Sequence, residues 1–314
     1  MSRKVTQSND YDFQVETVRL LTPEGNKSSV FLNRRVDNRE ELGTCTEHYG
    51  LVQNADLINR ADEALDRRGM TDYERKIYVT DNGSKLRAIY DFKRDADKLV
   101  VPEVGDEMGF RLIVQNSFDR SLKVSFALGF LRLACTNGMT TLERELDMVK
   151  RHTKKIDINS LLTDQALGEA LAKFDDAANV YTEIARKNVT QQQGLNVLQN
   201  LQKKNVFSEK VREGIASIWN NPRRDEDGKA GEMRNLYQLY NAGTEWLTSA
   251  HHTDSKGNEL GTYESRRFEL ANRVSTSMLK TFEASSRNES RFNRLILAPN
   301  RKRLCRLHRL PSPP

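Results

Sequence analysis

The sequence predicts an α+β fold: N-terminal antiparallel β-hairpins with one helix, followed by a mainly helical C-terminal half. Three observations carry this. Apolar and polar residues alternate around Ile77–Phe92 and Phe110–Leu128, the period of strands. Asn82-Gly83 lies between two such runs as a hairpin turn. From about residue 160 the apolar period becomes helical.

Residues 1–10 are polar and read as a flexible arm. Phe13, Val15, Val18 and Leu20, the turn Pro23-Glu24-Gly25-Asn26 and then Val30-Phe31-Leu32 predict an opening β-hairpin. Asn54 is the expected N-cap of a helix through Leu57, Ile58, Ala61 and Leu65, with Gly69 placed to end it. A type I′ turn at Asn82-Gly83 then joins Ile77 and Val79 to Leu86, Ala88, Tyr90 and Phe92. Residues 94–107 read as an acidic loop. Phe110, Leu112 and Val114 pair with the returning Leu122, Val124, Phe126 and Leu128 through the turn Phe118-Asp119-Arg120-Ser121. One face of this hairpin is apolar, and the other carries Arg111, Lys123 and Ser125.

Thr140 with Glu143 resembles a capping box, opening a helix through Leu142, Leu146 and Val149. Leu162 through Ile184 traces a second helix. Val211–Trp219, Leu236–Leu247 and Leu270–Met278 trace three more, with loops at 221–228 and 255–258. The expected organisation is a 1–10 arm, an 11–155 α+β core, a 156–290 helical region and a 291–314 basic, disordered tail.

The formal charge is +6, but Arg301, Lys302, Arg303, Arg306 and Arg309 supply five of it, leaving about +1 for residues 1–300. Local clusters must therefore carry any polyanion argument. Between Arg111 and Lys155, nine basic residues (Arg111, Arg120, Lys123, Arg132, Arg144, Lys150, Arg151, Lys154, Lys155) face four acids (Asp119, Glu143, Glu145, Asp147). His152 is a possible extra donor, and Asn137-Gly138 offers a small turn that could approach a phosphate. The plainer alternatives are a solvated helix end for the basic run and a turn that needs glycine for its φ. Arg301–Pro314 is either a polybasic arm or a disordered end of altered composition.

Cys45, Cys135 and Cys305 are too far apart for a zinc motif and odd in number for a disulfide framework, which points to reduced cytoplasmic thiols. Adjacent His251 and His252 would point about 100° apart on a helix and cannot chelate together, so no metal is expected. Trp219, Trp246, Tyr237 and Tyr240 have core spacing rather than the look of a base-stacking platform. No apolar run approaches the roughly 20 residues of a spanning helix, so no membrane is expected. Phosphate-loop, dinucleotide, His-Glu-x-x-His and nucleophile-elbow motifs are absent, so neither catalysis nor a cofactor is expected.

Several motifs resemble one family in family order. They are Asn38-Arg39-Glu40-Glu41-Leu42-Gly43, His48-Tyr49-Gly50-Leu51-Val52-Gln53-Asn54, Val114–Ser121, Arg132–Met139, Arg151-His152-Thr153, and Tyr240–Leu247 with His251, His252 and Arg267. Spanning roughly 35–285, they are similar to a domain-of-unknown-function family whose members are described as phage/plasmid-like and laterally transferred. Many members carry Gly or a similarly small residue in the Asn-Ser turn, where this chain has Arg120. The resemblance implies a mobile-element context and no transferable activity.

The order helix, two hairpins, helix is also similar to phage single-strand annealing proteins of the RecT, Red beta and Erf type, which oligomerise on single-stranded DNA. That analogy implies a homo-oligomer that binds single-stranded DNA alongside phage or host recombination proteins. The expected contacts are Arg111, Arg120, Lys123, Arg132, Asn137, Lys150, Arg151, His152, Lys154 and Lys155. The alternative is a protein-binding module of a mobile element, either a host-defence inhibitor or an assembly factor.

Overall fold

A computed structural model describes residues 5–7, 10–80, 82–92, 98–101, 106–132, 141–142, 148–223, 227–249, 252–253, 259–260 and 265–298. The chain divides into two compact units, Met1–Asn179 with Leu247–Thr276, and Val180–Trp246 with Ser277–Pro314. Antiparallel sheets with a helix occupy the N-terminal half, and helices dominate the C-terminal half, so the α+β class holds.

In the first unit, β1 (Val5–Gln7) precedes a three-stranded sheet of β2 (Val15–Leu21), β3 (Lys27–Arg35) and β4 (Glu41–Thr46). The opening hairpin is therefore as expected, with Gly25 at φ +83 in its turn. Val5–Gln7 differs from the expected arm: it pairs antiparallel with β5 (Tyr73–Thr80), Val5 opposite Thr80. Val5 and Thr6 are β-branched, which favours strand pairing despite the polarity of the segment.

Helix α1 (Asn54–Asp66) follows β4. Its N-cap is Gln53 rather than Asn54, and the Gln53 side chain does other work. Gln53 Oε1 accepts from Val15 N at 3.0 Å, and Nε2 donates to Val15 O at 2.8 Å, so the amide pairs with the edge of β2 as a strand would. Asn54 is the first helical residue, and its Oδ1 accepts from Asn116 Nδ2 at 2.9 Å. Gly69 follows the helix at φ +65, as its position required.

The main sheet adds β6 (Lys85–Phe92), β7 (Lys98–Val101), β8 (Asp106–Ser117), β9 (Val124–Arg132), β10 (Thr141–Leu142) and β11 (Val149–Lys150). Its path runs β1-β5-β6-β8-β9-β10, with β7 on β8 and β11 on β9. Three expectations change here. Asn82 lies outside the positive-φ region and only Gly83 enters it, at φ +80, so the turn is not type I′. Instead, Asn82 Oδ1 accepts from Ser84 N at 3.1 Å, and Gly83 N bonds Thr80 O at 2.7 Å. Within the expected acidic loop, Leu99-Val100-Val101 forms a strand because branched apolar residues favour β pairing. Thr141–Leu142 and Val149–Lys150 are strands on β9, so the expected helix does not run through them; sheet pairing overrides the capping-box signal. Thr140 and residues 143–147 lie outside the described residues.

Helix α1 packs Leu57, Ile58, Ala61 and Leu65 on one sheet face, against Tyr90, Phe92, Leu112, Val114 and Phe126. The opposite face, which carries Arg111 and Ser125 as the alternation implies, is covered too: Arg87, Ile89, Asp91, Arg111, Ile113 and Ser125 are all buried. Ion pairing inside the sheet, described below, makes that burial tolerable. The small sheet joins this end of the main sheet through Phe13, Val15, Leu42 and Phe118. Asn33 Nδ2 donates to Phe118 O at 2.8 Å across that junction.

Beyond Asp164 come α2 (Asp164–Ala185), β12 (Asn188–Val189), α3 (Gln191–Lys203), α4 (Glu209–Asn220), β13 (Arg234–Asn235), α5 (Leu236–Ser249), β14 (His252–Thr253), β15 (Glu259–Leu260), α6 (Ser265–Ser286) and α7 (Glu289–Ile296). Helices α3 and α7 escaped the sequence reading, although Thr190 and Gln193 form a complete capping box on α3. Trp219 packs where a Gly194 Cβ would sit, and Trp246 likewise fills the space over Gly214. Arg234 lies 3.4 Å over the Trp219 ring and donates to its carbonyl at 2.6 Å. Asn196 and Asn200 donate to Ile296 O and Leu295 O, tying α7 to α3.

Candidate nucleic-acid interface

Two turns and one short strand meet at one end of the main sheet. Lys85 opens β6 opposite Ser117, the last residue of β8. The chain then turns through 118–123 and re-enters the sheet at Val124. Strand β11 returns antiparallel onto β9, setting Lys150 opposite Val124 and Val149 opposite Ser125. Phe126 N also bonds Met148 O at 3.0 Å. The β8–β9 turn and the Lys150–Lys155 segment, distant in sequence, thus share one sheet end.

Arg120, Lys123, Lys150, Arg151, Lys154 and Lys155 are all exposed there. Among the described residues, none of the six forms an ion pair or a side-chain hydrogen bond. The one acid at the turn is engaged. Asp119 accepts from Ser121 N at 2.9 Å and lies 3.6 Å from Lys85 Nζ. Arg120 sits at φ +64, a left-handed conformation in which a Cβ costs energy. That geometry explains why a small residue suits the position.

Arg111 does not belong to this surface. It is 2% exposed, and its guanidinium pairs with Asp91, Nη2 to Oδ2 at 2.6 Å. Strand alternation correctly put it opposite the apolar face, but that face is buried, so Arg111 neutralises a buried carboxylate. Arg132 ends β9 opposite Met108. Asn137, Arg144, Cys135 and the 301–314 tail lie outside the described residues.

His152 is half-buried rather than presented to a ligand. Its ring stacks on Tyr49 with centroids 4.8 Å apart and planes 13° from parallel. Nδ1 lies 3.1 Å from Gly50 O, and burial pushes the imidazole pKa below its ordinary value. The neutral ring adds no charge for phosphate. Sequence reasoning did not assign Tyr49, Gly50 or Lys85 to the site, although the His48-Tyr49-Gly50 motif was visible.

Elsewhere, Trp219, Tyr237 and Tyr240 are buried and Trp246 is half-buried, so they form core rather than a stacking platform. Cys45 is a buried free thiol in β4. His252 is in β14, and His251 lies outside the described residues. Among the described residues, no group of three or more His, Cys, Asp or Glu could hold a metal ion. None of their helices is long and apolar enough to cross a membrane.

No curated protein and no solved structure matches the chain. A family model, Domain of unknown function (DUF932), matches residues 41–295. The match begins at β4 and ends within α7, covering the main sheet except β1, its basic end and the helices that follow. The chain is a member of the DUF932 family.

Proposed function

We propose that this protein binds single-stranded DNA and promotes strand annealing as a homo-oligomer, in phage or plasmid recombination or replication. One observation carries the reading: strand β11 on β9 brings the Lys150–Lys155 segment to the same sheet end as Arg120 and Lys123. Six exposed cations, without ion pairs among the described residues, then lie on turns and strand ends rather than on a helix that could enter a major groove. Such an array captures backbone phosphates, and a flexible single strand can follow it while its bases stay free to find a complement.

The order α1, β5–β6, β8–β9, α2 is compatible with the analogy to annealing proteins, with β1–β4, β7, β10 and β11 as additions. Fold analogy supports this reading without carrying it. The phage or plasmid setting rests on the family resemblance alone.

If each of the six cations neutralises one phosphate, log affinity falls with log salt at a slope of about −4, at roughly 0.7 per contact for single strands. The test is titration of a labelled single-stranded oligonucleotide over a salt series, with duplex as control, using a chain truncated after Ala298. Tight, salt-sensitive, single-strand-preferring binding supports the proposal, and salt-insensitive or absent binding refutes it.

A second reading, a protein-binding module, is favoured by a different surface. Leu21 is 64% exposed, Val30 40% and Val36 44%, all on or beside the β2–β3 hairpin. That reading predicts a hetero-complex lost on Leu21→Ser with Val30→Ser and little affinity for nucleic acid.

A further inference from the structure

The Lys150–Lys155 segment carries four exposed cations, and one side chain in its middle faces inward. Lys150 and Arg151 precede His152, and Lys154 and Lys155 follow it; Thr153 is also exposed. The His152 ring rests on Tyr49, and its Nδ1 meets Gly50 O at 3.1 Å. The Tyr49 hydroxyl in turn donates to Ser117 O at 2.9 Å, at the end of β8 from which the Arg120 turn departs. Lys154 N donates to His48 O at 3.0 Å. Gly50 permits this closeness, since a Cβ there would collide with the Thr153 carbonyl. A chain of contacts therefore runs from the middle of the basic segment through Tyr49 to the β8–β9 turn.

We propose that His152 is a positioning residue that clasps the Lys150–Lys155 segment to Tyr49 and Gly50, so that two sequence-distant cation groups form one preorganised phosphate-binding array. The inference rests on the single-stranded DNA reading. Its physical basis is ordering cost: flexible cationic side chains on a free loop lose rotamer and backbone freedom on binding, and a segment already docked loses less. The ring acts as a neutral donor from Nδ1. Nε2 is buried with no hydrogen-bond partner among the described residues, so a second proton there would have no acceptor. His152 thus serves the site by holding its neighbours and not by touching phosphate.

Charge counting and positioning give opposite signs for one substitution. His152→Lys adds a cation to the segment, so charge alone predicts tighter binding. The clasp predicts binding to a labelled oligo-dT weakened about tenfold. His152→Asn, whose amide can donate where Nδ1 does, should stay near wild type. Tyr49→Phe, which keeps the stack and loses the Ser117 bond, should fall between. Hydrogen exchange at the Lys154 amide, measured without DNA, reads the clasp directly: protected in wild type and His152→Asn, released in His152→Lys.

His152→Lys binding as tightly as wild type overturns the clasp. So does weakened His152→Lys binding with the Lys154 amide still protected. Should wild type bind while the fourfold Lys150, Arg151, Lys154 and Lys155 replacement does not, and His152→Lys behave normally, the clasp alone falls. Should wild type fail to bind, the DNA reading falls and takes the clasp with it. Thermal unfolding of each variant identifies any that fails to fold, and Tyr49→Phe tests the clasp from the other partner.

Discussion

Lys150 pairs with Val124 across β11 and β9, directly after Lys123 in the chain. Through that one register, Lys123 and Lys150, with twenty-six residues between them in sequence, come to the same end of the sheet. Neither group would make a site alone, because isolated solvated cations contribute little to specific contact.

Arg120→Gly should move stability and binding in opposite directions. Glycine tolerates the φ of +64 that arginine adopts only with strain, so the variant gains up to about 1 kcal/mol in unfolding experiments. It also loses one cation, so its salt slope on single-stranded DNA flattens by about 0.7. Loss of stability together with an unchanged slope would contradict both assignments.

Arg111 is predicted to be structural. Arg111→Met strands the buried Asp91 carboxylate and should cost about 3–5 kcal/mol in chemical denaturation. Arg111→Met with Asp91→Leu removes both charges and should cost much less. A mild single substitution that specifically abolishes DNA binding would return Arg111 to the interface.

In the second unit, the close approach of Trp246 depends on Gly214 having no side chain. Gly214→Ala should destabilise by about 1–3 kcal/mol through overpacking, seen as a lowered Tm. A Tm at or above wild type would show that the indole can shift freely.

The buried imidazole also sets a pH dependence. His152 packs against the Tyr49 ring and Gly50 O, with the Asp119 carboxylate as the nearby acid that favours protonation, and burial dominates to lower its pKa. The unfolded chain therefore binds the proton more readily than the folded one below the ordinary value of 6.5. Its stabilising contribution is present above that value and is lost as pH falls through the lower folded-state value. Comparing wild type with His152→Asn by denaturation across pH 5–7.5 should show this loss in wild type only.

Alternation and turn chemistry made much of the first unit legible. The Pro23–Asn26 turn, the α1 apolar stripe and the β8–β9 hairpin all follow from local pattern. What was not legible depends on tertiary context. Nothing local to Arg111 says that its face is covered, because alternation reports sides of a sheet and not solvent. The pairing of Val149–Lys150 with β9 is a long-range register, so a capping-box pattern upstream read as helix. At Asn54, a good capping residue is taken up by Asn116, while Gln53 spends its side chain on β2. The basic character of the site was visible in composition, but its convergence was not. Helix α3 is a different case: Thr190 and Gln193 carry its start signal openly, and the polar run Gln191-Gln192-Gln193 diluted the apolar stripe.

The most direct measurement is the salt dependence of single-stranded oligonucleotide binding by the chain truncated after Ala298, compared with the same chain bearing Lys150→Ser, Arg151→Ser, Lys154→Ser and Lys155→Ser. The expected slope is near −4 and flattens by about 2.8 in the variant, with affinity lost evenly across sequences. Equal slopes and equal affinities would contradict it and leave the cation cluster a solvated surface.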